Sequence, residues 1–139
     1  MSALSDFAEN ELLDHVLGTG SYTMPTAVYV GLHTQSPNES ASQATEIGGS
    51  AQDSTTGAYS RVAATFNAAS GGSTTNSGNI TFPTATSDWG TITHIGIYEN
   101  TSTPGSGNLL LHGALDSSKT IEIGDTFQIS TGNLTVTLA

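Results

Sequence analysis

From Trp89 to the C-terminus the chain is a succession of short apolar runs, WGTITHIGIY, NLLLHGAL, KTIEI, DTFQIST and NLTVTLA, separated by Gly, Asn, Asp, Ser and Pro. Short runs with turn residues at near-regular intervals are the pattern of an all-β sandwich or barrel. TAVYVGLHT (26–34), AYSRVAATF (58–66) and NITFP (79–83) read as further strands, which brings the count to about eight. Alternation puts Val28, Val30 and Leu32 on one face of the first strand. It puts Ala58, Val62, Ala64 and Phe66 on one face of the second, with Tyr59 and Arg61 on the other. Gly124-Asp125 and Gly132-Asn133 suit hairpin turns whose first central residue has positive φ. The expected fold is all-β, an antiparallel sandwich of jelly-roll type over 26–139 preceded by one amphipathic helix. The absence of a fixed-period repeat argues against propellers and solenoids.

The helix is expected at 2–17, where Leu4, Phe7, Ala8, Leu12, Val16 and Leu17 recur at spacings of three and four and form one stripe. Ser2 or Ser5 can cap its start, Asp6 and Glu9 lie near the positive end of its dipole, and Gly18 or Gly20 can take the left-handed stop. Residues 35–57 form a second distinctive segment, with almost no apolar side chain except Ile47. So long a polar loop inside a domain is usually a binding loop or a disordered one. A partner-binding surface is therefore expected on the helix, at Leu4, Phe7, Glu9, Glu11, Leu12, Asp14 and Val16, and on the loop, at Glu39, Glu46, Ile47 and Asp53. The bland alternative has the apolar stripe packed on the protein's own sandwich.

Composition narrows the function classes. Twelve acidic residues stand against two basic ones, Arg61 and Lys119, for a net charge of −10. Such a surface repels phosphate backbones and anionic membranes, so neither nucleic acid nor membrane is expected as a partner. With no cysteine there is no thiolate metal site, disulfide or thiol nucleophile. MSALSDFAEN has neither the basic start nor the apolar run of a signal peptide, so assembly in a cytoplasm is expected.

No residue set announces catalysis. His33, His94 and His112 each sit in an expected strand within two residues of a glycine, and three imidazoles could converge on a metal ion. The blander reading is that they hydrogen-bond within half-buried strands, and that the neighbouring glycines mark bulges or close backbone approach. The G-x-S-x-G elbow, H-E-x-x-H, P-loop and EF-hand patterns are all missing. Asp88, Glu99, Asp116 and Glu122 read as solvated carboxylates rather than a glycosidase pair. Trp89 and Tyr98 could stack on sugars, although a sandwich core would claim most of nine aromatics. The expectation is no enzyme and no cofactor.

The stretches SDWGTITHIGIYE, GSGNLLLHGALDSSKTIEIGDTF and TGNLTVTL resemble a family of small structural proteins of tailed bacteriophages. The opening SALSDFAENELLDHVLGTGSYTMPTAVYVGLHT and the central YSRVAATF with ITFPTAT are similar to it too, which leaves only 35–57 outside. The resemblance implies a virion component, decoration-like or tail-fibre-like, and carries over no catalytic residue. A tail fibre normally shows repeats that build length, whereas this chain reads as one compact body with a helix and a loop. The main expectation is thus a capsid decoration (cement) protein on the outer surface of an HK97-type head, a trimer or dimer bound across major capsid subunits. The alternative is a tail-fibre or baseplate module that binds host glycans through Trp89 and Tyr98.

Overall fold

The computed structural model describes residues 3–39, 45–48 and 56–138. Among them are one α-helix, α1 (Asp6–Leu17), and nine strands: β1 (Ala3–Leu4), β2 (Val28–His33), β3 (Val62–Ala64), β4 (Ser73–Thr75), β5 (Ile80–Thr81), β6 (Gly90–Glu99), β7 (Leu109–Ile121), β8 (Gln128–Ile129) and β9 (Thr135–Thr137). All ladders are antiparallel. Five strands form one sheet in the order β1-β7-β6-β2-β3, while β4 pairs with β9 and β5 with β8 as separate ribbons. The protein is all-β with a single helix. Its described strands group as five, two and two rather than as the two four-stranded sheets of a jelly roll.

The period of two predicts the inward face correctly at β2. Val30 and Leu32 are fully buried, and register places Val30 opposite Ile97 and Leu32 opposite Ile95. The same cluster includes Ile80, Phe82, Phe127, Ile129 and Leu134 from the two ribbons and their connections, so the ribbons close one side of the sheet over a shared core. An aromatic row runs through that core. Tyr59 stacks on Phe82 and meets Trp89 edge-on, and Phe82 meets Phe127 edge-on.

Several elements differ from expectation. KTIEI is not a strand of its own but the far end of β7, and SGGSTTNSG, read as a connection, contains β4. Gly124 and Gly132 do have positive φ, +90° and +83°. They occupy the second central position, as Asp125 N donates to Glu122 O and Asn133 N to Ser130 O, which is the type II arrangement. Neither turn closes a hairpin; each hands the chain to a different ladder. Tyr59 and Arg61, expected on an outer face, are buried, because the strand begins only at Val62 and the residues before it turn inward.

The helix starts later than expected. Ala3 and Leu4 pair with His112 and Leu111 of β7, and Ser5 then switches the chain into α1. Ser5 accepts from Ala8 N at 3.2 Å, donates its hydroxyl to Leu109 O, and is anchored by its own N–H on Leu110 O at 2.9 Å. Gly18, at φ +76°, ends the helix with its N–H on Asp14 O.

On the sheet's other face, Gly31 of β2 lies opposite Gly96 of β6. A Cβ at Gly31 would sit 2.7 Å from Glu46 Oε1 and 3.1 Å from the Tyr98 ring, so this is close approach rather than a bulge. The carboxylate is gripped by Arg61 and cannot move aside. Gly31→Ala is expected to cost about 1–3 kcal/mol of stability. A shift in the urea midpoint measures it, and an unchanged midpoint would contradict the contact.

Candidate functional site

The helix holds the body by its first half and exposes its second. Ala8 is buried, and Phe7 and Glu11 are half-buried. The Phe7 ring meets Tyr22 edge-on, and the Tyr22 hydroxyl donates to Glu99 Oε2 at 2.7 Å. Burial, together with that carboxylate, raises the Tyr22 pKa. At 100° per residue, Phe7, Ala8 and Glu11 lie on one side of the helix. Leu12, Leu13, Val16 and Leu17 lie on the other and are 43%, 56%, 69% and 71% exposed. Met24, just beyond the helix, is more exposed still.

The expected stripe is therefore split. Leu4 belongs to β1, Phe7 faces the body, and only Leu12, Val16 and Leu17 reach solvent, joined by Leu13, which the spacing argument passed over. Glu9 and Asp14 are exposed beside them. The six positions do not make one stripe: at 100° per residue Phe7 and Val16 lie on opposite sides of the helix, and Leu4 falls outside it because the Ser5 cap sets the start at Asp6.

The loop residues divide differently. Glu39 is exposed, and its carbonyl accepts from Asp6 N at 2.9 Å, which ties the loop to the helix start. Glu46 and Ile47 do not form a docking surface. Glu46 bridges His33, and Ile47 N donates to Leu32 O, so this short stretch continues the sheet beyond the end of β3. The Ile47 side chain enters the core. Asp53 lies outside the described residues.

The Glu46 side chain forms a fully buried ion pair with Arg61, at 2.7 Å from both Nε and NH2. Its remaining lone pairs take the Tyr59 hydroxyl at 2.9 Å and Gly105 N at 3.0 Å. Arg61 also donates to Ser106 O and lies 3.4 Å over the Tyr98 ring. Such a saturated pair, with every charged edge hydrogen-bonded, is a structural clamp between the loop, the 101–106 segment and the sheet.

Tyr98 and Trp89, expected as sugar platforms, are both enclosed. Tyr98 is sandwiched between sheet and guanidinium, and Trp89 donates its Nε1 to Gly57 O at 3.0 Å inside the aromatic row. Neither ring offers a face to a glycan.

The three histidines do share one sheet face. His33 lies opposite His94, and His112 lies opposite Gly96, diagonal to His94. His33 spends both ring nitrogens on hydrogen bonds, 2.9 Å to the Tyr98 hydroxyl and 2.9 Å to Thr45 Oγ1, which leaves none for a metal. No metal-binding group of His, Cys, Asp and Glu occurs among the described residues.

Burial, with Arg61, His94 and His112 nearby, depresses the His33 pKa to about 3. His112 is lowered as well, mainly by burial. The unfolded chain therefore binds protons at these positions where the folded one does not, and stability falls as pH drops below about 6.5. The deeply buried His33 contributes a slope of up to about 1.4 kcal/mol per pH unit. Urea unfolding at pH 7 and pH 5 should show a lower midpoint at pH 5. His33→Asn should flatten the decline, and equal midpoints in the parent protein would contradict it.

A cleft of about 270 Å³ opens where the ribbons stop short of β7. Ile95, Ile97 and Leu111 line it from the sheet, Leu134 and Val136 from the β9 side, and Leu115 is at its rim. The rim is irregular: Ala114 pairs with His94 and Lys119 with Ile92, so β7 residues 115–118 face the single Thr93 in a wide bulge. Nothing in the sequence marks this bulge except the polar run DSSK.

The family model of the podophage GP4 fiber I protein gp80 matches residues 3–137. The chain belongs to that family. It is a phage structural protein of fibre type and, as such, a component of the virion. Among curated proteins none matches the chain. The outward apolar face of α1 and the cleft beside β7 are apolar surfaces that the described part of the fold leaves open.

Proposed function

We propose that this gp80-family chain is a non-enzymatic subunit of a phage tail-fibre apparatus, working as a homo-oligomer that joins other virion proteins through apolar contacts. The observation that carries this reading is the match of a fibre protein's family model over 3–137. The exposed Leu12, Leu13, Val16 and Leu17 support it, since a contiguous apolar helix face on an otherwise polar surface marks a protein contact. The buried Glu46–Arg61 clamp adds the rigidity expected of a structural part.

Capsid decoration, the main expectation from sequence, has no support in the family match, and the fibre alternative fits it better. Two of the loop residues on which docking across a capsid was based, Glu46 and Ile47, are inside the protein. Host-glycan recognition by Trp89 and Tyr98 falls with their burial, so any direct host contact belongs to other residues. With Arg61 neutralised inside, the surface is acidic apart from Lys119, which keeps nucleic acid and anionic membranes outside the proposed partners.

Virions produced without this protein test the reading. Their heads should fill and survive heating and osmotic shock like the parent's, while adsorption to host cells falls to background. Leaking heads with normal adsorption would reverse the assignment toward the capsid.

A further inference from the structure

The helix face and the cleft are complementary in ways that point at each other. The face is a ridge: Leu13, Val16 and Leu17 stand out from a helix whose opposite side is already committed to the body. The cleft is a hollow of about 270 Å³ floored by Ile95, Ile97 and Leu111. At that size it is just below the range of small-molecule pockets, about 300–1,000 Å³, and suits a few side chains of an inserted ridge. Its polar rim consists of Asp116, Asn133 and Thr135, with no second acidic group.

Charge reinforces the match. Of the chain's two Lys and Arg residues Arg61 is sequestered, so Lys119 is the one on the surface. It lines a shallow depression that shares Leu115, Asp116 and Asn133 with the cleft. The helix ridge is flanked by the exposed carboxylates of Glu9 and Asp14. On a protein of net charge −10 most self-contacts are repulsive, and this pairing brings the carboxylates to the surface lysine.

We propose that the outward face of α1 seats in the β7–β9 cleft of a second copy of the chain, with Leu13, Val16 and Leu17 in the hollow and Glu9 or Asp14 toward Lys119. This deepens the fibre reading and rests on its homo-oligomeric part. Because ridge and hollow are different surfaces, the contact is heterologous: repeated from copy to copy it closes a ring or extends a filament.

The heterologous geometry gives an unusual test. Leu13→Glu with Leu17→Glu spoils the ridge, and Thr135→Trp obstructs the hollow; all three positions are exposed, so folding is checked simply by circular dichroism and melting. By size exclusion with light scattering, the parent protein should be oligomeric. Each variant alone should lose self-association by about tenfold or more. Mixed in equal amounts, the two variants should form a one-to-one dimer and nothing larger, because one intact ridge and one intact hollow remain between them.

The lack of cysteine permits a second readout. Val16→Cys mixed with Thr135→Cys should yield a disulfide-linked pair on oxidation, and neither alone should do so efficiently. A parent that stays monomeric at all concentrations would overturn the proposal, as would an oligomer unaffected by the ridge variant. A Thr135→Trp variant that remains oligomeric, with Val16→Cys linking to itself, would assign the contact to helix against helix instead. None of these failures touches the virion location of the protein, which the adsorption experiment tests separately.

Discussion

Glu46→Ala is expected to lower stability by about 3–5 kcal/mol, among the largest effects of any single substitution in this chain. The change leaves the Arg61 guanidinium, fully buried at its side chain, without its counter-ion and pinned in place by Ser106 O and the Tyr98 ring. It also strips acceptors from the Tyr59 hydroxyl and Gly105 N. The penalty comes mainly from the stranded charge rather than from the lost bond. Adding Arg61→Ala should therefore recover part of the loss, and a double-mutant cycle in urea separates the two effects. A Glu46→Ala midpoint close to the parent's would contradict the clamp. The same logic applies to deleting residues 38–54, polar though that stretch of sequence is. That segment carries Glu46 and Ile47, so its removal should unfold the protein rather than merely trim it.

Phe82→Ala should cost about 3–5 kcal/mol for a different reason. Phe82 is 2% exposed and stands between Tyr59 and Phe127, with ring centroids 6.2 Å and 5.6 Å away. Truncation leaves a cavity at the joint between the β5–β8 ribbon and the five-stranded sheet. Leu17→Ala removes a similar apolar group from the outer helix face. Being 71% exposed, Leu17 should change folding stability by no more than about 0.5 kcal/mol. Thermal melts of the two variants make the contrast directly, and equal effects would contradict the assignment of core and surface.

How far the sequence announced these features depended on how local their causes are. The β2 alternation of Val28, Val30 and Leu32, the Gly18 stop and the positive φ at Gly124 and Gly132 follow from short-range sterics, and they were legible. The late helix start was not, because Ala3 and Leu4 form a strand only by pairing with β7, more than a hundred residues away. The fate of Glu46 was hidden for the same reason: a polar loop residue becomes a core residue only when Arg61 and the 101–106 segment converge on it. Trp89 and Tyr98 were named as surface candidates, while aromatic scarcity already argued for the core that claims them. The helix was legible as apolar on one side, with packing on the body and contact with a neighbour both left open. Its outer face, with Leu13 between Val16 and Leu17, follows from 100° per residue, since Phe7 and Val16 lie on opposite sides of the helix.

The proposed role places this chain in a fibre apparatus rather than in the capsid shell. Gold-labelled antibody against the purified protein, imaged on intact virions, tests it most directly. Label is expected at the tail or its fibres with the head surface bare, and label spread over the faces of the head would contradict the fibre role.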